Sequence, residues 1–324
     1  MVNSYTYYGR KNSRYYSKSF HLYPACLQHS LVECCMGSGN QTANSLYGSE
    51  VRRIAIEMDK SIYMLNRAIQ TNPYKTIELL SEIIYSKDEY RKAFLNVKGV
   101  NNGMNIDIYE LIKDAYGCLI MSYNSMRSGY REVDDKRKKK IYSSISEIVL
   151  DLYRAWRGVQ IINDDFMNYP QHWTGGRDTL VFADVPYEKK KRGADDKRKN
   201  AGYICDWGDE EQKRFIDFVI AAQNSGTPSN IIICANIPLD EKGNLRDMES
   251  DYYNQRLLKA GFRLVVVEKR NASVANKRGE KKPVAEVIYL NYKNILGKWS
   301  EHEYYDYEDI YGKEGYDYGR SKHS

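Results

Sequence analysis

Short apolar runs alternate with amphipathic stretches along this chain. Leu31-Val32 leads into Glu33 and then Gly37-Ser38-Gly39-Asn40, the pattern of a buried strand opening through a glycine turn into a helix. The next run, Ile54-Ala55-Ile56, ends at Glu57 and Asp59, and Ile62, Leu65 and Ala68 then fall on one helical face. Together these read as a βαβ unit. Residues 70–130 read as mostly helical, with Ile77, Leu80, Ile83 and Ile84 in one stretch and Leu111, Ile112, Ala115, Leu119 and Ile120 in another. Asn101-Asn102-Gly103 punctuates them as a turn. The polar stretch 122–140 shows no period and reads as a loop carrying a basic cluster at Lys136–Lys140.

From Ser143 the alternation returns. A helix over SSISEIVLDLYRAW precedes a strand, VQIINDDF, that ends in acids. A second strand, TLVFADVPY, ends at Asp184, and a charged loop follows it. EEQKRFIDFVIAAQNSG reads as a helix closed by glycine, NIIICANI as a buried strand, RLLKAGFRLVVVEKR as helix then strand, and VAEVIYLNY as a last strand. The expected fold class is α/β, a mostly parallel sheet with helices on both faces. No internal repeat interrupts it. Residues 299–324 are acidic and rich in tyrosine, and are expected to be mobile.

Composition narrows the class. Of 324 residues, 42% are hydrophobic and 28% charged, as in an ordinary soluble domain. No apolar run reaches membrane-spanning length, and MVNSYTYYGRKNSRYY lacks the apolar core of a signal peptide. A cytoplasmic protein without membrane partners is expected. The six cysteines show no ligand spacing and read as reduced thiols. The five histidines show no triad or metal spacing, so hydrolytic nucleophiles and metals gain no support. Net charge is +6, but residues 301–324 hold seven acids and three bases, a local −4 that leaves +10 on the rest. A body that basic suits a polyanionic partner.

Four motifs carry candidate chemistry. The Gly37–Gly39 turn lets backbone approach a nucleotide, and Glu57 stands where an acid can accept ribose hydroxyls. A glycine turn occurs in any α/β protein, so both readings stay open. Asp184-Val185-Pro186-Tyr187 ends a strand where open sheets place ligands, with a carboxylate for an amino group and a flat ring for a base. A plain strand-ending turn is the simpler reading. Asp164 or Asp165 stands at the next candidate adenine contact, or at a solvated strand end. Lys11, in YYGRK, either reaches a carboxylate ligand or lies on the surface. Three basic clusters, Lys136–Lys140, Lys189–Lys199 and Lys269–Lys282, either neutralise phosphates or are solvated.

Taken in order, these segments resemble the Dam-like N6-adenine DNA methyltransferases over roughly residues 5–293. YYGRK is similar to the family's aromatic-x-Gly-x-Lys, VECCMGSGN to its VEPFxGxG, and IAIEMD to its strand-two acid segment. MSYNSMRSGYRE resembles its asparagine-and-glycine stretch, DVPY its DPPY, and AEVIYLNY its closing strand. The resemblance implies a Rossmann-like class I methyltransferase sheet with an inserted, mostly helical target-recognition domain. It places cofactor binding in 1–69, target recognition in 70–142, the remaining catalytic part in 143–298 and a tail in 299–324.

The resemblance further implies S-adenosylmethionine (SAM) as cofactor, no metal, and duplex DNA as substrate. Tyr7, Lys11, Glu33, Gly37, Gly39, Glu57, Asp165, Phe166 and Asp184 would serve the cofactor. Asp184, Val185, Pro186 and Tyr187 would hold the target base. Asn124, Arg127, Arg131, Lys136, Arg137, Lys138, Lys190, Lys191, Lys277 and Arg278 would contact DNA. Two residues depart from the family pattern: Cys35 replaces a phenylalanine and Val185 a proline. They leave open a catalytically impaired SAM- and DNA-binding homologue. An amino methyltransferase acting on RNA, or on protein glutamine, also stays open. A nicotinamide dehydrogenase would share the glycine turn but leave DVPY unexplained. The oligomeric state, a monomer included, and a cognate restriction endonuclease are left open too.

Overall fold

The computed structural model of the chain describes residues 2, 4–5, 22–24, 29–44, 51–125, 127, 129–186, 207–246, 248, 254–271, 283–293, 295 and 302–311. The chain divides into two compact units. The first comprises Met1–Ser13, His29–Tyr169 and Glu188–Glu211, and the second Arg14–Gln28, Pro170–Tyr187 and Gln212–Ser324. The fold is α/β, with eight strands among the described residues.

In the first unit, β1 (Ser30–Cys34) leads through the glycine turn to the short α1 (Asn40–Ala43), then β2 (Arg52–Ile56). Five helices follow: α2 (Lys60–Thr71), α3 (Pro73–Ser81), α4 (Lys87–Asn101), α5 (Ile108–Ile120) and α6 (Asp135–Ala155). β3 (Val159–Ile162) completes a parallel set in the order β3-β2-β1. Its register pairs Cys34 with Ile56 and Ile56 with Ile162, so all three carboxyl ends lie level.

The helices start where the sequence offers a side-chain acceptor. Asp59 caps α2, Asn72 caps α3 ahead of Pro73, Ser86 caps α4, Asp107 caps α5 and Asp134 caps α6. Each cap satisfies an amide that has no partner within its helix. Ile62, Leu65 and Ile69 of α2 join Leu80, Val97, Ala115, Leu119, Val149 and Leu152 in one core, which Trp156 closes.

Helix α6 corrects one expectation. Lys136–Lys140 are not loop but the first turns of α6, which starts at Asp135 rather than Ser143. Lysine and arginine are good helix formers. The apolar period begins only at Ile141 because the earlier turns extend past the core.

In the second unit, α7 (Pro170–Trp173) precedes β4 (Thr179–Ala183), and α8 (Asp209–Gln223) precedes β5 (Asn230–Pro238). Gly226, at φ 85, follows the end of α8. β6 (Arg263–Asn271), β7 (Pro283–Leu290) and β8 (Tyr304–Tyr305) give the order β4-β5-β7-β6-β8. β4 and β5 are parallel, whereas β7, β6 and β8 add antiparallel. The link from Asn271 to Pro283 is too short for a parallel crossover, which needs a dozen residues or more. Within the tail expected to be mobile, the described residues 302–311 contribute β8, paired with β6, and the short helix α9 (Tyr307–Tyr311). No described helix is long and apolar enough to cross a membrane.

Candidate functional site

The three level carboxyl ends of β1, β2 and β3 carry a connected polar construction. After Cys34 the backbone turns through positive φ at Cys35 (58°), Gly37 (53°) and Gly39 (61°). Met36 N donates to Ile56 O at 2.9 Å, and Gly39 N returns to Met36 O at 2.8 Å. Gly37 is gripped on both sides. Its amide donates to Glu57 Oε2 at 2.6 Å, and its carbonyl accepts from Asn66 Nδ2 at 2.8 Å and Tyr5 Oη at 3.2 Å. Gly39 O accepts from Trp156 Nε1 at 3.3 Å.

Gly39 is there for space as well as for φ. A Cβ on it would lie 2.5 Å from Met36 Cε and 2.6 Å from Trp156 Cζ2. Glu33 accepts from Thr42 N at 2.8 Å and from Thr42 Oγ1, so it fastens α1 behind the turn.

Glu57 is buried, and its second oxygen accepts from Asp59 N at 2.9 Å. Burial, helped by the neighbouring Asp59 charge, pushes its pKa up to about 7, against the pull of the two amides and of Arg127. Two amides occupy two of the four acceptor sites a carboxylate offers. Asp59 goes the other way. Burial would raise it, but the Arg127 guanidinium and hydrogen bonds from Ser61 and Asn101 outweigh that and hold it below its usual value. The Tyr5 hydroxyl is raised by burial and by the Glu57 charge.

After β3, Asn163 Nδ2 donates to Glu57 O at 2.8 Å, joining the second and third carboxyl ends. Half-buried Asp165 caps a short 3₁₀ turn through Met167 N at 2.9 Å. The Phe166 ring is fully buried and packs on Trp207 with centroids 6.3 Å apart. It is a packing residue, with no exposed face to offer a ligand. Asp164 is tied to Asn168 and Tyr169 and lies below its usual pKa, because those bonds and the Asp165 amide outweigh its desolvation.

One of the expected DNA contacts is corrected. Arg127 is buried, at 2% exposure, so it cannot reach a base edge, and its Nη1 lies 2.6 Å from Asp59 Oδ2. Arg137 is half-buried and donates Nη2 to Ile120 O at 2.9 Å, closing the end of α5. Arg131 and Lys136 are exposed, as are Lys139 and Lys140 beside them, and Lys138 pairs with Asp135. The side chain of Asn124 and residues Tyr7, Lys11, Tyr187, Lys190, Lys191, Lys277 and Arg278 lie outside the described part.

In the second unit, Asp184 and Pro186 follow β4 half-buried, with Val185 buried between them. The closing motif of this unit proves structural. Asn291 Oδ1 accepts from Ile231 N at 2.7 Å while its Nδ2 donates to Ser229 O at 2.8 Å. Tyr292 Oη donates to Leu22 O at 2.7 Å, and Glu286 pairs with Arg270.

No group of three or more metal-ligating side chains occurs among the described residues. Asp59, Asn66, Asn101 and Trp156 were missed by sequence reasoning. Asp59 was visible as an N-cap, but the partners of the others lie 29 to 117 residues away. No protein-family model matches the chain, and no curated protein matches it either.

Proposed function

We propose that this chain is a SAM-dependent methyltransferase acting on N6 of adenine in duplex DNA. One observation carries the reading furthest: the Gly37 amide held by the buried Glu57 carboxylate, at level carboxyl ends of parallel strands. That construction suits a nucleoside-bearing cofactor. Gly37 supplies the left-handed backbone the turn requires, and Glu57 retains lone pairs for two ribose hydroxyls. On chemical grounds the residues fit the group. Asp165 would meet the adenine, and Tyr7 and Lys11 the remaining portions.

SAM supplies an electrophilic methyl on a sulfonium. The chain's residues prepare the acceptor. An adenine amino nitrogen is a weak nucleophile, and in duplex DNA it must be extruded at a cost of about a few kcal/mol. Asp184 would accept one amino hydrogen and the Val185 carbonyl the other, leaving the nitrogen lone pair directed outward. Tyr187 would stack on the ring. Valine lacks proline's fixed φ, but burial of its side chain anchors the same backbone. Arg131 and the exposed lysines that open α6 would neutralise phosphates, and Asn124 would read a base edge.

Methylation-aware sequencing of DNA from a host expressing the gene tests the proposal. N6-methyladenine in one sequence context is the expected result. Unmodified DNA, with SAM and DNA bound by the purified protein, would assign the impaired-homologue reading instead. Methylated RNA would move the substrate.

A further inference from the structure

Arg127 and Asp59 form a buried ion pair, with side chains 1% and 5% exposed, between segments 68 residues apart. Arg127 belongs to a short closed turn after α5. Ser122 bridges Tyr130, Arg131 N donates to Met121 O at 2.7 Å, and Arg127 N donates to Ser122 Oγ at 3.1 Å. Within it, Ser125 (φ 56°) and Arg127 (φ 52°) adopt a left-handed conformation without being glycine. Each such residue costs about 1–2 kcal/mol. Cys35 is the remaining non-glycine residue of this kind among the described residues, and it opens the glycine turn.

The far side of the pair is a hub. Asp59 Oδ1 accepts from Ser61 N at 3.0 Å, Ser61 Oγ at 2.6 Å and Asn101 Nδ2 at 3.0 Å. Asp59 N donates to Glu57 Oε1, whose other oxygen holds Gly37 N. A continuous polar path therefore runs from the 122–131 turn through Arg127, Asp59 and Glu57 to the glycine turn. A buried ion pair seldom stabilises more than apolar side chains of equal volume would, and its best-attested use is to fix one arrangement.

We propose that Arg127 is a positioning residue. Through Asp59 and Glu57 it ties the turn that carries Asn124 and Arg131 to the cofactor turn, so that engagement of one biases the other. This deepens the methyltransferase reading and rests on it for the identity of the two ligands. The tie itself requires neither ligand.

Hydrogen exchange of the full chain tests it, comparing wild type with Arg127→Met, Arg127→Lys and Asp59→Asn. Arg127→Met should speed exchange in 122–131 and also in 34–44, with β7 unchanged. Arg127→Lys should restore part of the protection. Ser122→Ala removes the hydroxyl that anchors Arg127 N and that donates to Leu119 O at 3.2 Å, and should give the same pattern more weakly even if Arg127→Met fails to fold. Protection of 34–44 unaffected while 122–131 loosens would overturn the proposal. So would loosening spread equally over β7, the mark of a purely structural role.

A second readout is S-adenosylhomocysteine affinity with and without a duplex oligonucleotide. Wild type should show coupling of about fivefold or more, and Arg127→Met should show none. Coupling that persists in Arg127→Met contradicts the tie. If the exchange pattern appears but wild type binds no S-adenosylhomocysteine, the tie stands and the methyltransferase reading fails.

Discussion

Replacing Gly39 by alanine tests whether the turn depends on the close packing of Met36 and Trp156 against it. Two costs add. At φ 61° an alanine sits in the left-handed region, which costs about 1–2 kcal/mol. Its Cβ would also press on Met36 Cε at 2.5 Å and Trp156 Cζ2 at 2.6 Å. The methionine end can swing away. The indole cannot do so freely, because it is fully buried and its Nε1 donates to Gly39 O. Forced overpacking of this kind costs about 1–3 kcal/mol. The sum is about 2–5 kcal/mol, or about 4–10 °C of melting temperature for a chain this size. Gly103→Ala is the control, since φ is 87° there but nothing lies within 4 Å. It should lose only the conformational part. Thermal melts and calorimetric titration with S-adenosylhomocysteine provide the readout. Gly39→Ala should melt lower than Gly103→Ala and bind at least tenfold more weakly than wild type. Equal melting of the two variants, with binding intact, would refute the close-packing argument.

Four further outcomes are expected. Cys35→Gly relieves a left-handed residue (φ 58°) and should stabilise the chain by about 1 kcal/mol in urea melts; destabilisation would show that the Cys35 side chain outweighs the strain. The folded state holds the Glu57 proton with a pKa of about 7 against the usual 4.5, so this group's contribution is full below pH 4.5 and is lost as pH rises through 7. Linkage makes that about 3 kcal/mol, and the stability of Glu57→Gln relative to wild type should rise by that amount between pH 4.5 and pH 8. S-adenosylhomocysteine should correspondingly bind wild type about tenfold more weakly for each pH unit below 7; a flat profile would remove Glu57 from the ribose. Arg131→Ala and Lys136→Ala should each lower the slope of log affinity for DNA against log salt by about 1, whereas Arg137→Ala, whose guanidinium closes α5, should leave the slope unchanged.

Local signals carried much of the fold. The runs at Leu31-Val32, Ile54–Ile56 and Ile231–Cys234 are short, bounded by polar or turn residues and rich in β-branched side chains, and they form buried strands. The start of α6 was hidden because Asp135–Lys140 show no apolar period, and only the cap at Asp134 marks the helix. The glycine turn and Glu57 were legible as a pair through their spacing. The partner of Arg127 was not. An arginine in a polar, aperiodic stretch looks solvated, and only the folded chain brings Asp59 to it across the four intervening helices. The resemblance likewise puts Phe166 at the ligand, whereas its ring is core in the fold.

Transfer of label from methyl-tritiated SAM to duplex DNA, followed by nucleoside analysis, tests the central claim most directly. Wild type should yield labelled N6-methyldeoxyadenosine, and Asp184→Ala should yield none while still binding S-adenosylhomocysteine. Absence of labelled product from wild type, or undiminished transfer by Asp184→Ala, would contradict the account.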